Sequence, residues 1–147
     1  MQGIISKKKQ RFILVKIGEI TVFFPADLVA EIGIVERNKI MNLPFYSSHL
    51  KGCIYYNGKI ISLVDLKTIF DLDSSLNREK MIVICLGQKA NKFEGVGLIA
   101  DQILGGKNED ELSPDLIKEN QDKIKLFELE MLEQNFWEVQ GYYAHNP

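Results

Sequence analysis

The sequence predicts an all-β domain of the barrel or sandwich kind, and three observations carry that expectation. Short apolar runs recur along the chain, at Phe12–Ile17, Ile20–Phe24, Leu50–Tyr56, Lys59–Val64, Met81–Leu86 and Phe93–Leu104. Tight-turn pairs separate neighbouring runs, above all Gly18-Glu19 and Asn57-Gly58. Helical patterns are brief wherever they occur. Many short strands with sharp turns and little helix are the signature of a closed or two-layered β architecture.

The hairpin from Leu50 to Val64 is the most informative segment. A two-residue type I′ turn needs positive φ at both central positions, which Asn and then Gly tolerate best. That turn sets the register: Tyr56 faces Lys59, Tyr55 faces Ile60, Ile54 faces Ile61 and Cys53 faces Ser62. Both faces are then largely apolar, so the hairpin is expected to be buried on both sides or nearly so. Asp65 closes the second strand and is placed to cap a short helix over Leu66–Phe70, accepting from a free N–H of its first turn.

The other elements follow by the same rules. Phe12–Ile17 and Ile20–Phe24 read as a strand pair joined at Gly18-Glu19. Pro25 suits the first position of a helix, and Leu28, Val29 and Ile32 then share one face, so a brief helix is expected there with Gly33 ending it. Asn38–His49, with Pro44, Ser47 and Ser48, reads as loop, as do Asp71–Lys80 and Gly87–Lys92. Met81–Leu86 is a continuous apolar strand, and Phe93–Leu104 a second strand with two glycines. Ser113-Pro114-Asp115 starts a helix. Beyond it the stretch to Gln134 fits both helical spacing (Leu126, Leu129, Leu132) and a strand from Ile124 to Leu132, and a mixture of the two is expected. Trp137, Tyr142 and Tyr143 are expected to close the core.

At 147 residues the chain is sized for one domain with a single sizeable core. Its net charge of −2 gives no reason to expect nucleic acid or an anionic membrane as partner. Lys7-Lys8-Lys9 and Arg11 read as a solvated basic leader over residues 1–9. No run reaches membrane-spanning length, and a cytoplasmic protein is expected. Cys53 and Cys85 both lie inside apolar strand patterns, as reduced, buried cysteines do.

Catalytic constellations are not in evidence. His49 and His145 have no ligand at metal-binding spacing, so no metal is expected. The two cysteines form no C-x-x-C pair. Gly95-Val96-Gly97-Leu98-Ile99-Ala100 matches the dinucleotide fingerprint G-x-G-x-x-A, but without a clear strand before it or a ribose-binding acid after it. Glycines in a bent or bulged strand explain the match better. No cofactor and no enzymatic activity are expected.

The hairpin's small residue, apolar strand, tight turn, second apolar strand and Asp-Leu exit resemble the bacterial chemotaxis coupling (CheW-like) family. Gly52, Ile54, Gly58, Ile60, Ile61, Val64, Asp65 and Leu66 carry the likeness, with Asn57 standing where that family usually has Arg and Ser62 where it usually has Pro. Phe12–Ile17, Ile20–Pro25, Leu28–Ile32, Leu43-Pro44, Met81–Leu86 and Gly97–Leu104 extend it over about residues 11–105, beyond which it fades. The resemblance implies two small SH3-like five-stranded barrels around a shared core, one over roughly residues 18–80, the other over 10–17 and 81–145, in a single domain of residues 10–145.

The resemblance also implies a non-catalytic adaptor that binds a histidine kinase's coupling-like regulatory domain and the cytoplasmic tip of a chemoreceptor, at membrane-associated arrays. Val29 and Glu31 match positions used toward the family's partners, and Gly52 and Asn57 match positions linked to receptor engagement. Asn supplies neither the charge nor the forked donors of Arg. One alternative is therefore a diverged module that binds the kinase, or another partner, without receptors. An alternative of another class is a small nucleotide-dependent enzyme built on Gly95–Ala100.

Overall fold

The computed structural model describes residues 9–42, 50–73, 78–119 and 122–133. Nine strands form two sheets among them. The first sheet has the order β8-β1-β2-β9, from β1 (Arg11–Ile17), β2 (Ile20–Pro25), β8 (Gln102–Asn108) and β9 (Ile124–Leu126). The second has the order β3-β6-β7-β5-β4, from β3 (Val29–Glu36), β4 (Leu50–Tyr56), β5 (Lys59–Asp65), β6 (Lys80–Leu86) and β7 (Gly97–Ala100). Neighbours are antiparallel except β2 with β9 and β5 with β7. Two short helices, α1 (Leu66–Ile69) and α2 (Pro114–Glu119), complete the regular structure, with residues 129–133 also helical.

The all-β class and the hairpin stand as the sequence predicts. Tyr56 pairs with Lys59, Tyr55 with Ile60, Ile54 with Ile61 and Cys53 with Ser62. Asn57 and Gly58 have φ of 49° and 78°, the two positive values a type I′ turn needs. The buried Asp65 carboxylate accepts from the Lys67 N–H at 3.0 Å and caps α1. Cys53 and Cys85 are free and buried. The chain after α2 mixes strand and helix, β9 being followed by the turn at 129–133. His49, His145, Trp137, Tyr142 and Tyr143 lie outside the described residues.

Three expectations are corrected. The helix after Pro25 is a single 3-10 turn, Ala26–Leu28, and Val29–Glu36 is strand. Leu28, Val29 and Ile32 fit helical spacing, but Val29, Ile32, Ile34 and Val35 are β-branched and the whole segment pairs with β6. Gly33 is thus a strand residue rather than a helix end. Second, Phe93–Leu104 is not one strand. Phe93 ends two 3-10 turns over Gln88–Phe93, where a loop was expected, and β7 and β8 part at Asp101 as the chain leaves one sheet for the other. Third, the hairpin is not buried on both faces: Tyr55 and Ile60 are 72% and 70% exposed.

The strands are shared between the two sheets as follows. The two-residue Gly18-Glu19 turn folds β2 directly back on β1, and the two pair along their whole length, with β9 on the other side of β2. β6 in turn pairs with β3 on one side and β7 on the other. One sheet therefore takes residues 11–25 and 102–126, and the other takes 29–100.

The second sheet is apolar on both faces. One face fills its own concave interior with Val35, Ile54, Ile61, Leu63, Met81, Val83, Cys85 and Ile99. The other packs Val64, Ile84, Leu86, Leu98 and Ala100 against Val15, Ile17, Val22 and Phe24 of the first sheet, with Phe127 stacked on Phe24 at 4.3 Å between ring centroids. Tyr56, at the end of β4, reaches across to β3: a Cβ on Gly33 would lie 2.9 Å from its hydroxyl oxygen. The two edges of the sheet thereby approach and the sheet curls toward a barrel.

Gly97 faces the tightest part of this interior. A Cβ there would lie 2.7 Å from Val83 Cγ1 and 3.0 Å from both Ile61 Cγ2 and Leu63 Cδ2. Gly97→Ala should cost about 1–3 kcal/mol through overpacking. Gly58 has open space around it, so Gly58→Val should cost about 1–2 kcal/mol from backbone strain alone. Chemical denaturation of the two variants measures both; native stability of Gly58→Val would contradict the turn geometry.

Candidate partner-binding surface

The concave side of the second sheet opens at one end into a groove of about 420 Å³. Its walls are Ala30 and Glu31 from β3, Lys59, Ile60 and Ile61 from β5, Cys85 to Gln88 at the end of β6, and Glu94-Gly95 before β7. Ile61 and Cys85 belong to the buried interior, so the floor of the groove is the top of the barrel core. The rim is charged. Glu31, Glu94 and Lys59 make no ion pair within 4.0 Å among the described residues.

Local sequence explains how each side chain arrives there. A β-bulge at Ala30 shifts the pairing of β3 with β6, so that Val29 faces Leu86 and Glu31 faces Cys85. Glu31 then falls in phase with Gly33 and Val35, whose side of the strand looks into the barrel, and it is exposed only because it stands at the open end. Its carboxylate is felt by the thiol: burial pushes the Cys85 pKa up, and the nearby Glu31 charge pushes it further the same way. Lys59 is set by the Asn57-Gly58 turn, opposite Tyr56.

The four residues singled out from sequence do not form one cluster. Glu31 lines the groove, and Asn57 is exposed at the hairpin tip, two residues from Lys59. Val29 is half-buried and packs against the inter-sheet core, so it is partly a core residue. Gly52 is fully internal, with φ of 139°, where a Cβ would collide with the Met41 carbonyl oxygen. Met41 and Cys53 exchange backbone hydrogen bonds of 2.8 and 2.9 Å, and this bridge forces the close approach. Gly52 is explained by packing.

The surface also carries apolar residues, two of which, Tyr55 and Ile60, the hairpin pattern predicts to be buried. Tyr55 and Ile60 form an exposed cross-strand pair on the outer face of the hairpin. Ile32 and Ile34 are exposed on β3, at 40% and 67%. Strict alternation with the buried Ile54 and Ile61, and with Val35, was the available signal; what hid it was that both phases of the hairpin are apolar.

Gly95-Val96-Gly97 is followed by strand β7, with Gly95 in the preceding turn at φ 90°. The helix N-terminus on which a dinucleotide pyrophosphate would rest is not at that place. Among the described residues no three His, Cys, Asp or Glu gather to hold a metal, and no helix is long and apolar enough to cross a membrane.

Two sheets sharing a core, one of them curled toward a barrel with a charged open end, define a β-barrel-like domain of the SH3-like kind. A family model described as the CheW-like domain matches residues 11–126. The chain belongs to the CheW-like domain family, a family of non-catalytic scaffolds. Among solved structures it is similar to scaffolding protein TtCheW from Thermoanaerobacter tengcongensis, with 23% identity, a TM-score of 0.55 and coverage of 72% of this chain and 70% of that one. That likeness concerns the fold. A sequence comparison with curated proteins finds no match.

Gly52→Ala should lose more stability than Gly58→Val, since it meets backbone as well as strain; an unchanged denaturation midpoint would show that the Met41 bridge does not form. Glu31→Arg should leave the midpoint unchanged and accelerate alkylation of Cys85 between pH 8 and 9. Replacing the carboxylate by a cation lowers the thiol pKa, and the thiolate is the reacting form. Iodoacetamide labelling read by mass spectrometry measures this. An unaltered rate would mean the two groups do not sense each other.

Proposed function

We propose that this protein is a non-catalytic adaptor that couples a chemoreceptor to a histidine kinase in bacterial chemotaxis or motility signalling. The observation that carries the proposal is the open, apolar-floored end of the second barrel, rimmed by Glu31, Glu94 and Lys59 and flanked by the exposed pair Tyr55 and Ile60. Such a patch suits protein contact: an apolar centre desolvates on docking, while rim charges set orientation. Membership of the CheW-like family supports the identity of the partner, a kinase's own CheW-like regulatory domain. The receptor tip is the second partner, and the site of action is the cytoplasmic side of membrane-associated receptor arrays.

Within this reading Val29 and Glu31 serve the kinase side, and Asn57 the receptor side. Gly52 acts indirectly, by holding β4 against Met41. A second reading has a specific observation in its favour. Asn57 occupies an exposed turn tip at φ 49°, where the family usually has Arg, so a charge-assisted contact is absent. A module that binds the kinase and not the receptor would need no cation at that tip.

Glu31→Arg tests the kinase side more cleanly than any change at Val29, because Val29 packs against the core and an Asp there would unfold as well as repel. Calorimetric titration with the CheW-like domain of a chemotaxis kinase should show affinity falling about tenfold or more, in line with loss of one well-placed charge. Native affinity would move the interface elsewhere. Asn57→Arg should increase co-sedimentation with a receptor tip fragment if receptor engagement is weakened here. No gain, with kinase binding intact, favours the module without receptors.

A further inference from the structure

We propose that Lys59 is the specificity-determining cation of the barrel's open end and that it takes a carboxylate from the docking kinase domain. The inference rests on the docking reading given above and goes further, by naming the residue that selects the partner and the charge it selects.

Three observations support it. Among the described residues Lys59 is the only cation lining the groove, which otherwise carries two acids, Glu31 and Glu94. It makes no ion pair within 4.0 Å among the described residues, so its charge is not committed to either acid of the groove it lines. A second polar groove, lined by Glu36, Arg37, Asn38, Glu79 and Lys80, by contrast holds two acids and two cations. At the barrel end, positive charge stands on the β5 wall and negative charge on the β3 and pre-β7 walls, with no ion pair between them among the described residues.

The position of Lys59 makes that charge usable. It begins β5 directly after the rigid Asn57-Gly58 turn, opposite Tyr56, whose ring is held against Gly33. The backbone from which the side chain springs is thus fixed by a turn and a ladder. Ile60, 70% exposed, stands on the opposite face of the strand, so it is a partner filling the groove itself that desolvates the ammonium and strengthens its pairing. A partner must then bring an acid to the β5 wall and a base to the wall of Glu31 and Glu94. A partner docked the other way round meets like charges on both walls. Lys59 also lies two residues from Asn57, so it supplies near the hairpin tip a cation that the turn residue lacks.

The test is a titration of the full chain with the CheW-like domain of the chemotaxis histidine kinase from the same organism. Lys59→Glu should weaken binding at least tenfold, and Lys59→Arg should keep affinity within about twofold of the native value. The native complex should weaken with rising salt, and Lys59→Glu should flatten that dependence. Asn57→Arg placed in the Lys59→Glu background should recover part of the loss, because the longer side chain returns a cation to the same end of the hairpin. Circular dichroism should show all these variants folded, Lys59 being exposed. Native affinity for Lys59→Glu, with Glu31→Arg still weakened, would overturn the role of Lys59 while leaving the docking reading in place. Native affinity for both would overturn the docking reading itself, and Lys59 with it.

Discussion

Everything in this fold depends on the second sheet being apolar on both of its faces. A sheet with one apolar face needs one cover; this sheet needs two, and finds them differently. One face curls until its own side chains fill the interior, with Ile54, Ile61, Leu63, Val83 and Ile99 meeting one another. The other lies on the first sheet, where Val64, Ile84, Leu98 and Ala100 meet Val15, Val22 and Phe24. Curling is possible only because space is kept at two glycines: Gly97, whose missing Cβ leaves room for Val83, and Gly33, whose missing Cβ leaves room for Tyr56.

A polar joint holds the two sheets in register. Asp101 stands at the point where the chain passes from β7 to β8. Its carboxylate accepts from the Gly18 N–H at 2.7 Å, at the tip of the β1–β2 turn, and lies 3.3 Å from the Lys67 ammonium on α1. Its own N–H donates to the Lys16 carbonyl, and Arg78 donates to its carbonyl oxygen. Both charged side chains are about four-fifths covered, so this pair is less screened than the surface pairs elsewhere. The apolar layer drives the sheets together, and the directional bonds of Asp101 select one angle between them.

The same constraint explains where a partner can dock. The most exposed large apolar side chains of the second sheet are Ile34 on one edge strand and Tyr55 and Ile60 on the hairpin at the other side. The barrel interior meets solvent only at its open end, and the charges of Glu31, Glu94 and Lys59 stand there. A scaffold needs rigid exposed edges and no moving chemistry, and this architecture supplies such edges as a by-product of its packing.

The sequence by itself determined what is local. Asn57-Gly58 dictates a type I′ turn, hence the register of the hairpin; Asp65 dictates the cap on α1; and the likeness of ordered short motifs assigned the family. It could not determine what depends on the other sheet. The run from Val29 to Val35 carries both a helical and an alternating pattern, and only pairing with β6 decides for strand. Gly97–Leu104 reads as one strand because no local signal marks Asp101 as the crossing between sheets. Tyr55 and Ile60 look as buried as Ile54 and Ile61, since apolarity in a hairpin does not say which face will find a cover. Glu31 and Lys59 are brought to one groove by a bulge at Ala30 and a turn at Asn57, from β3 and β5, strands that are not neighbours in the sheet. Turn and cap chemistry act over a few residues and are written in them; burial and meeting of strands are decided by which surfaces are left over when the sheets close.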